Sequence, residues 1–125
     1  MANIIVNEKN NLHYIAGAFS PNAHSPLVTW NVAMAQAVAH KYLMRGIPCF
    51  VPHANFGWLA MEAEKPTYEE VMAMCLVILA RCDTLVVCPN SDYSVGTMTE
   101  HAYAKTLKMP IIYEKWQEEG TFKYE

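Results

Sequence analysis

The sequence has few charged residues, no excess of positive charge and no long apolar run. Charged residues make up 17% of the 125 residues and the formal net charge is −3, so the basic surface of a general nucleic-acid-binding protein is missing. No apolar run approaches the ~20 residues that span a bilayer. The first residues also lack the basic start and apolar stretch of a signal peptide. We therefore expect a cytoplasmic protein that binds neither nucleic acid nor membrane.

The cysteines lack the spacing of a metal site. Cys49, Cys75, Cys82 and Cys88 form no C-x-x-C pair, which is a common unit of zinc sites. Three of them lie in apolar segments, where a reduced and buried thiol is the expected state. We expect no metal ion and no other cofactor.

Hydrophobic residues make up 53% of the chain, enough for the core of a single domain over residues 1–125. Apolar, β-branched runs alternate with segments whose apolar residues recur at spacings of three and four. The predicted strands are 12–19, 47–52, 84–88 and 109–116, and the predicted helices are 27–45, 67–81 and 95–107. This alternation predicts an α/β fold, a doubly wound, flavodoxin- or Rossmann-like domain with a parallel sheet of four or five strands. The long connection 53–66 is typical of a lid or pocket wall.

The segment between the third predicted strand and the next helix carries the residues best suited to chemistry. Gly96 lets the backbone approach a ligand, Ser94 offers a hydroxyl, and the N–H groups of a helix start favour anions. We expect Glu100 in the first helical turn, where the helix dipole keeps a carboxylate ionised. Thr97 and Glu100 also match a capping box, in which Glu100 only closes the helix end. Both interpretations of Glu100 stay open at this point.

Several segments, taken in order, resemble the nucleoside 2-deoxyribosyltransferase-like superfamily, and most of all its small bacterial and phage branch. They are Tyr14 to Ser20 (YIAGAFS), Pro52 to Phe56 (PHANF), Met74 to Asp83 and Ser94 to Glu100. The resemblance spans roughly residues 12–114. It implies cleavage of the N-glycosidic bond of a deoxynucleoside or deoxynucleotide.

The resemblance also implies roles for individual residues. Glu100 would attack the anomeric carbon to give a glycosyl-enzyme, and Tyr14 would lie beside that carboxylate. Gly17 and Ser20 would shape the loop after the first strand. His53 is a further catalytic candidate because it directly follows a predicted strand, so the predicted catalytic residues are Tyr14, His53 and Glu100. The predicted substrate-binding residues are Gly17, Ser20, Asn90, Asp92, Ser94 and Gly96.

Two positions depart from parts of the superfamily pattern. The resemblance implies that transferases of free nucleosides have an acidic residue at the position of Ser94, where it holds the 5′-hydroxyl. A serine at a helix start instead tolerates a 5′-phosphate. Cys75 stands where the superfamily has an aspartate that serves the leaving base, and a thiol with an ordinary pKa of about 8.5 is a poor acid in that role. His24, His53 or Asp92 could replace it.

Three functions therefore remain. The first is hydrolysis of a (deoxy)nucleoside 5′-monophosphate, as in the similar deoxynucleoside 5′-monophosphate N-glycosidases, and the second is base exchange by a transferase. The third is nucleotide binding by a catalytically inactive sensor or accessory protein. A flavodoxin-like electron carrier is less well supported, because the loop after the first strand lacks a serine- and threonine-rich phosphate cradle.

The resemblance also implies a homodimer in which a neighbouring subunit completes the pocket. The tail, residues 117–125, is either mobile or part of that interface. Its aromatic residues Phe122 and Tyr124 would suit a subunit contact.

Overall fold

Four short parallel strands form the central sheet of the protein. The computed structural model describes residues 11–18, 26–89, 94–116 and 122–123. The strands of the sheet are β1 (His13–Ala16), β2 (Cys49–Phe50), β3 (Thr84–Val87) and β4 (Ile111–Tyr113). Their order is β2-β1-β3-β4, and each neighbouring pair is parallel. Two further strands, β5 (Lys115–Trp116) and β6 (Phe122–Lys123), pair antiparallel beside it.

Helices connect the strands and cover the sheet. They are α1 (Pro26–Met44), α2 (Pro52–Phe56), α3 (Tyr68–Ala80) and α4 (Val95–Thr106), with a 3-10 helix over Gly57–Met61. The predicted α/β fold with a parallel sheet of four strands is therefore confirmed. Among the described residues, no helix is long and apolar enough to cross a membrane.

The sheet has an apolar core on each face, because successive side chains of a strand point to opposite sides. Ile15 and Val86 pack with α1. Tyr14 and Leu85 pack on the other face, with Leu79 of α3 and other side chains of α3 and α4. This two-sided burial explains why the strands appear in the sequence as continuous apolar runs.

The predicted strand boundaries were too wide. The first strand ends at Ala16 rather than extending to residue 19, and the last predicted strand divides into β4 and β5 at Glu114. The Glu114 N–H still donates to the Val87 carbonyl, at 2.9 Å, but the chain then leaves the sheet. Apolar composition alone does not show where a strand loses its neighbour. The sequence also allows residues 3–6 (NIIV) to be either an edge strand or an N-terminal tail. They lie outside the described residues, as does most of the segment 117–125.

The sheet has a topological switch point between β1 and β3. The chain leaves β1 through α1 to β2 on one side, and it then crosses through α3 to β3 on the other side. The Cys88 N–H donates to the Ala16 carbonyl at 2.8 Å, which holds the carboxyl ends of the two strands together. Open α/β sheets bind ligands outside the carboxyl ends of strands at such a point.

The predicted capping box at the start of α3 is present. The Thr67 hydroxyl accepts from the Glu70 N–H at 3.1 Å, and the Glu70 carboxylate accepts from the Thr67 N–H at 2.9 Å. The helix therefore begins at a fixed residue, which sets the direction in which its first turn projects.

Replacing Thr67 with alanine removes this cap. We expect Thr67→Ala to lower the free energy of unfolding by about 1 kcal/mol, measured by urea denaturation. Thr99→Ala is the matched control, because Thr99 is an exposed residue inside α4 whose hydroxyl donates only to the Val95 carbonyl. An equal loss in both variants would contradict the capping role of Thr67.

Candidate active site

A cavity of about 170 Å³ opens at the carboxyl edge of the sheet, beside the switch point. Gly17, directly after β1, lines it together with the first turns of α3 and of α4. Residues 52–66, which we call the wall segment, close another side with α2 and the 3-10 helix. The predicted function of this long connection as a pocket wall thus agrees with its position. The cavity would hold a group about the size of one ring. The rest of a larger ligand would extend through its opening.

Glu100 lies at the buried end of this cavity. Its side chain is 4% exposed, and the Tyr14 hydroxyl, itself fully buried, donates a hydrogen bond to Glu100 Oε2. Thr97, Glu100 and Ala104 are the buried positions of α4, so this face of the helix packs towards the sheet. The structure thus places Tyr14 of the central strand directly beside the carboxylate.

Burial controls the protonation of this pair. Loss of solvent raises the pKa of Glu100 from 4.5 to about 7, although the hydrogen bond from Tyr14 opposes the change. Burial, followed by the charge of Glu100, raises the pKa of Tyr14 far above its usual value. The hydroxyl therefore keeps its proton, and Glu100 is a carboxylate that changes its charge near neutral pH.

Two expectations about Glu100 were wrong. Ser94 is the N-cap of α4, with its hydroxyl accepting from the Thr97 N–H at 3.2 Å, so the predicted capping box between Thr97 and Glu100 does not form. Glu100 consequently lies in the second turn, beyond the reach of the free N–H groups at the helix start. The carboxylate is not kept ionised by the helix dipole, because burial dominates.

Gly96 has a packing role that the sequence did not indicate. A Cβ at this position would lie 2.9 Å from the Tyr68 hydroxyl and 2.9 Å from Met72 Cε. A side chain at Gly96 would therefore require the ends of these two α3 side chains to shift. Both Gly96 and the N-cap Ser94 line the cavity.

His53 joins the wall segment to the end of β1. Its Nε2 lies 2.8 Å from the Ala18 carbonyl, and since a carbonyl only accepts, Nε2 carries the proton. Burial lowers the pKa of His53, so the ring is neutral at pH 7. Its Cε1 lies 3.4 Å from the place that a Cβ on Gly17 would occupy, which is ordinary contact, whereas Cys88 Sγ lies closer, at 3.2 Å. Both His53 and Gly17 line the cavity, and a catalytic role for His53 stays a prediction.

Cys75 contributes a neutral thiol to the same site. It lines the cavity, is buried and interacts with the Tyr14 hydroxyl. Burial raises the pKa of the Cys75 thiol, so the side chain stays protonated. The chain therefore has a weak donor without charge at this position of the cavity.

Some of the predicted residues cannot be placed. Ser20, Asn90 and Asp92, predicted to bind substrate, lie outside the described residues, as does His24. The described part of the chain also contains no cluster of three or more potential metal ligands.

Sequence reasoning missed two polar residues of the cavity, Lys65 and Tyr68. Lys65 follows no recognisable motif. Tyr68 could have been found, because Tyr68, Met72 and Cys75 are spaced by four and three residues. That spacing places them on one face of α3.

Glu100 is expected to make stability depend on pH. Between pH 4.5 and about 7 the folded protein binds more protons than the unfolded chain, so stability falls as pH rises through this range. The pKa difference corresponds to about 3 kcal/mol. Glu100→Gln keeps an oxygen that accepts from Tyr14 but cannot ionise. We expect this variant to gain up to about 3 kcal/mol over the wild type between pH 5 and pH 8, measured by urea denaturation at each pH.

Glu64→Gln is the control for this comparison, because it removes one negative charge from an exposed position. If the free energies of unfolding of the wild type and of Glu100→Gln changed with pH in parallel, the pKa of Glu100 would not be raised in the folded protein, which would contradict this prediction.

Comparison with known proteins gives a family but no described activity. No curated protein matches the chain. A family model described as a domain of unknown function, DUF7768, matches residues 11–114. The matched region includes all four strands of the central sheet and every element that lines the cavity. The chain therefore belongs to the DUF7768 family.

Proposed function

We propose that the protein cleaves the N-glycosidic bond of a (deoxy)nucleoside 5′-monophosphate through a glycosyl-enzyme on Glu100. The observation that supports this most strongly is the buried Glu100 carboxylate, held by the Tyr14 hydroxyl at the end of a cavity beside the switch point. A carboxylate in this setting can act as the nucleophile in a double displacement at an anomeric carbon.

The hydrogen bond to Tyr14 orients this nucleophile. The Tyr14 hydroxyl donates to Oε2 of Glu100, and the described residues form no further hydrogen bond with this carboxylate. Oε1 is therefore the oxygen available for attack. Because the pKa of Glu100 is raised to about 7, base release should fall as pH decreases through 7. The ionised form carries a poorly solvated charge, and forming a neutral ester with the sugar relieves that cost.

The bond changes balance without a further reactant. A Glu100 oxygen bonds to C1′ while the C1′–N bond breaks, and the bonding electrons leave with the base, which gains a proton from solvent. Water then attacks C1′ of the ester, returns the carboxylate to Glu100 and releases its extra proton to solvent. The products are the free base and the sugar 5′-phosphate.

The cavity walls fit a nucleotide in two ways. Apolar side chains of the wall segment and of α3, including Phe56, Leu59 and Val71, supply the surface that a planar base requires. Ser94 at the α4 N-terminus and the Lys65 ammonium also line the cavity, and both suit a phosphate. This combination favours a nucleotide over a free nucleoside.

Nucleotide binding without cleavage is the second candidate function. The observation that favours it is the neutral thiol of Cys75 in the cavity. This thiol lies next to Tyr14 and Glu100, where the superfamily pattern supplies an acid. His53 is poorly suited to compensate, because its Nε2 proton is donated to the Ala18 carbonyl and its ring is neutral at pH 7.

The homodimer stays a prediction. Met74 and Val77 of α3 are 40% and 58% exposed, and they supply apolar surface that would suit contact with a second copy.

The test is base release from nucleosides and 5′-monophosphates, ribo and deoxy, at pH 8, with and without an acceptor base. We expect release from a monophosphate in the wild type, and a loss of at least about 10³-fold in Glu100→Gln because the nucleophile is removed. The control Glu64→Gln should keep wild-type activity, because Glu64 is an exposed residue of the wall segment that does not itself line the cavity.

The other outcomes separate the alternatives. Exchange that requires an acceptor base would indicate the transferase. Tight binding of a monophosphate with no turnover on any substrate would contradict cleavage and support the nucleotide-binding protein. Equal rates in the wild type and Glu100→Gln would rule out Glu100 as the nucleophile.

A further inference from the structure

Tyr68 offers the cavity a hydroxyl that is not otherwise engaged. It is the first residue of α3, lines the cavity and is 42% exposed. Over the part of the chain that the structure describes, this hydroxyl forms no hydrogen bond. The Tyr14 hydroxyl already donates its only proton to Glu100. The Ser94 hydroxyl accepts from the Thr97 N–H and Lys65 donates to the Ala60 carbonyl, but both keep donors, which the proposed function assigns to the phosphate.

The position of this hydroxyl is set by α4 as well as by α3. It lies 2.9 Å from the place that a Cβ on Gly96 would occupy, so a side chain at Gly96 would require the Tyr68 hydroxyl to shift from its present position. The capping box at Thr67 fixes the first turn of α3 from the other side. Tyr68 is therefore held at the junction of the two helices that carry Cys75 and Glu100.

The electrostatic surroundings keep the hydroxyl protonated. Partial burial, and then the negative charge of Glu100, raise the pKa of Tyr68. The hydroxyl is close enough to Glu100 for this interaction but forms no hydrogen bond with it. The Tyr68 hydroxyl is thus a hydrogen-bond donor at neutral pH that is not used by Glu100.

We propose that the Tyr68 hydroxyl donates a hydrogen bond to the departing base, and so performs the task for which Cys75 is poorly suited. This inference rests on the proposed cleavage at Glu100. When the C1′–N bond breaks, its electron pair moves onto the base, and the hydrogen bond from Tyr68 stabilises that developing negative charge. The tyrosine keeps its proton, and the base gains one from solvent when it leaves.

The test compares two leaving groups in Tyr68→Phe, a variant that removes only the hydroxyl. One substrate is a 5′-monophosphate that the wild type cleaves. The other carries an N7-methylated purine, which departs as a neutral base and needs little stabilisation. We expect kcat to fall about 10²-fold for the first substrate and to change little for the second. Tyr113→Phe is the matched control, since the Tyr113 hydroxyl contacts His101 outside the cavity.

Gly96→Ala provides an independent variant, because the added methyl group collides with the Tyr68 hydroxyl. It should show the same selective loss with the ordinary base. An equal loss for both substrates in Tyr68→Phe, or no loss for either, would overturn the role of Tyr68 while leaving cleavage at Glu100 intact. A wild-type protein that releases base from neither substrate would overturn the proposed function and this inference together.

Discussion

The hydrogen bond from Tyr14 to Glu100 ties the centre of the sheet to the cavity. It joins residues 86 positions apart, both of which are buried. Burying a carboxylate is costly, and a charge-assisted hydrogen bond offsets only part of that cost. Removing either partner would leave an unsatisfied polar group in the core. The rotation of α4 about its axis, and with it the direction of Glu100, therefore depends on a tyrosine in β1.

The remaining features of the site follow from this arrangement. Because β1 and β3 are neighbours at the switch point, the segments that follow them meet at one edge of the sheet. Gly17 makes room for Cys88, and His53 holds the wall segment over that edge. Gly96 makes room for Tyr68 and Met72, which bring α3 against α4. The cavity is thus bounded by contacts in which a larger side chain would displace its neighbour.

Much of the fold could be predicted from local patterns, whereas the chemistry of the site could not. The alternation of apolar runs with helical periodicity predicted the parallel sheet, and the capping box at Thr67 located the start of α3. The same type of motif gave a wrong prediction at Thr97, because the helix begins three residues earlier, with Ser94 as its N-cap. The raised pKa of Glu100 results from burial against a distant strand, which no local motif encodes. Placing Tyr14 beside Glu100 required a resemblance to other proteins, and Tyr68 escaped notice because its environment arises only when two helices pack together.

The most direct test of the account is to trap the glycosyl-enzyme and locate it by mass spectrometry. A nucleoside 5′-monophosphate with fluorine at C2′ suits this purpose, because the fluorine destabilises the positive charge that develops when the ester is hydrolysed. Covalent catalysis by Glu100 predicts a mass increase equal to the fluorinated sugar phosphate, on the peptide that contains Glu100, and no increase in Glu100→Gln. An adduct on another residue, or base release with no adduct at all, would contradict covalent catalysis by Glu100.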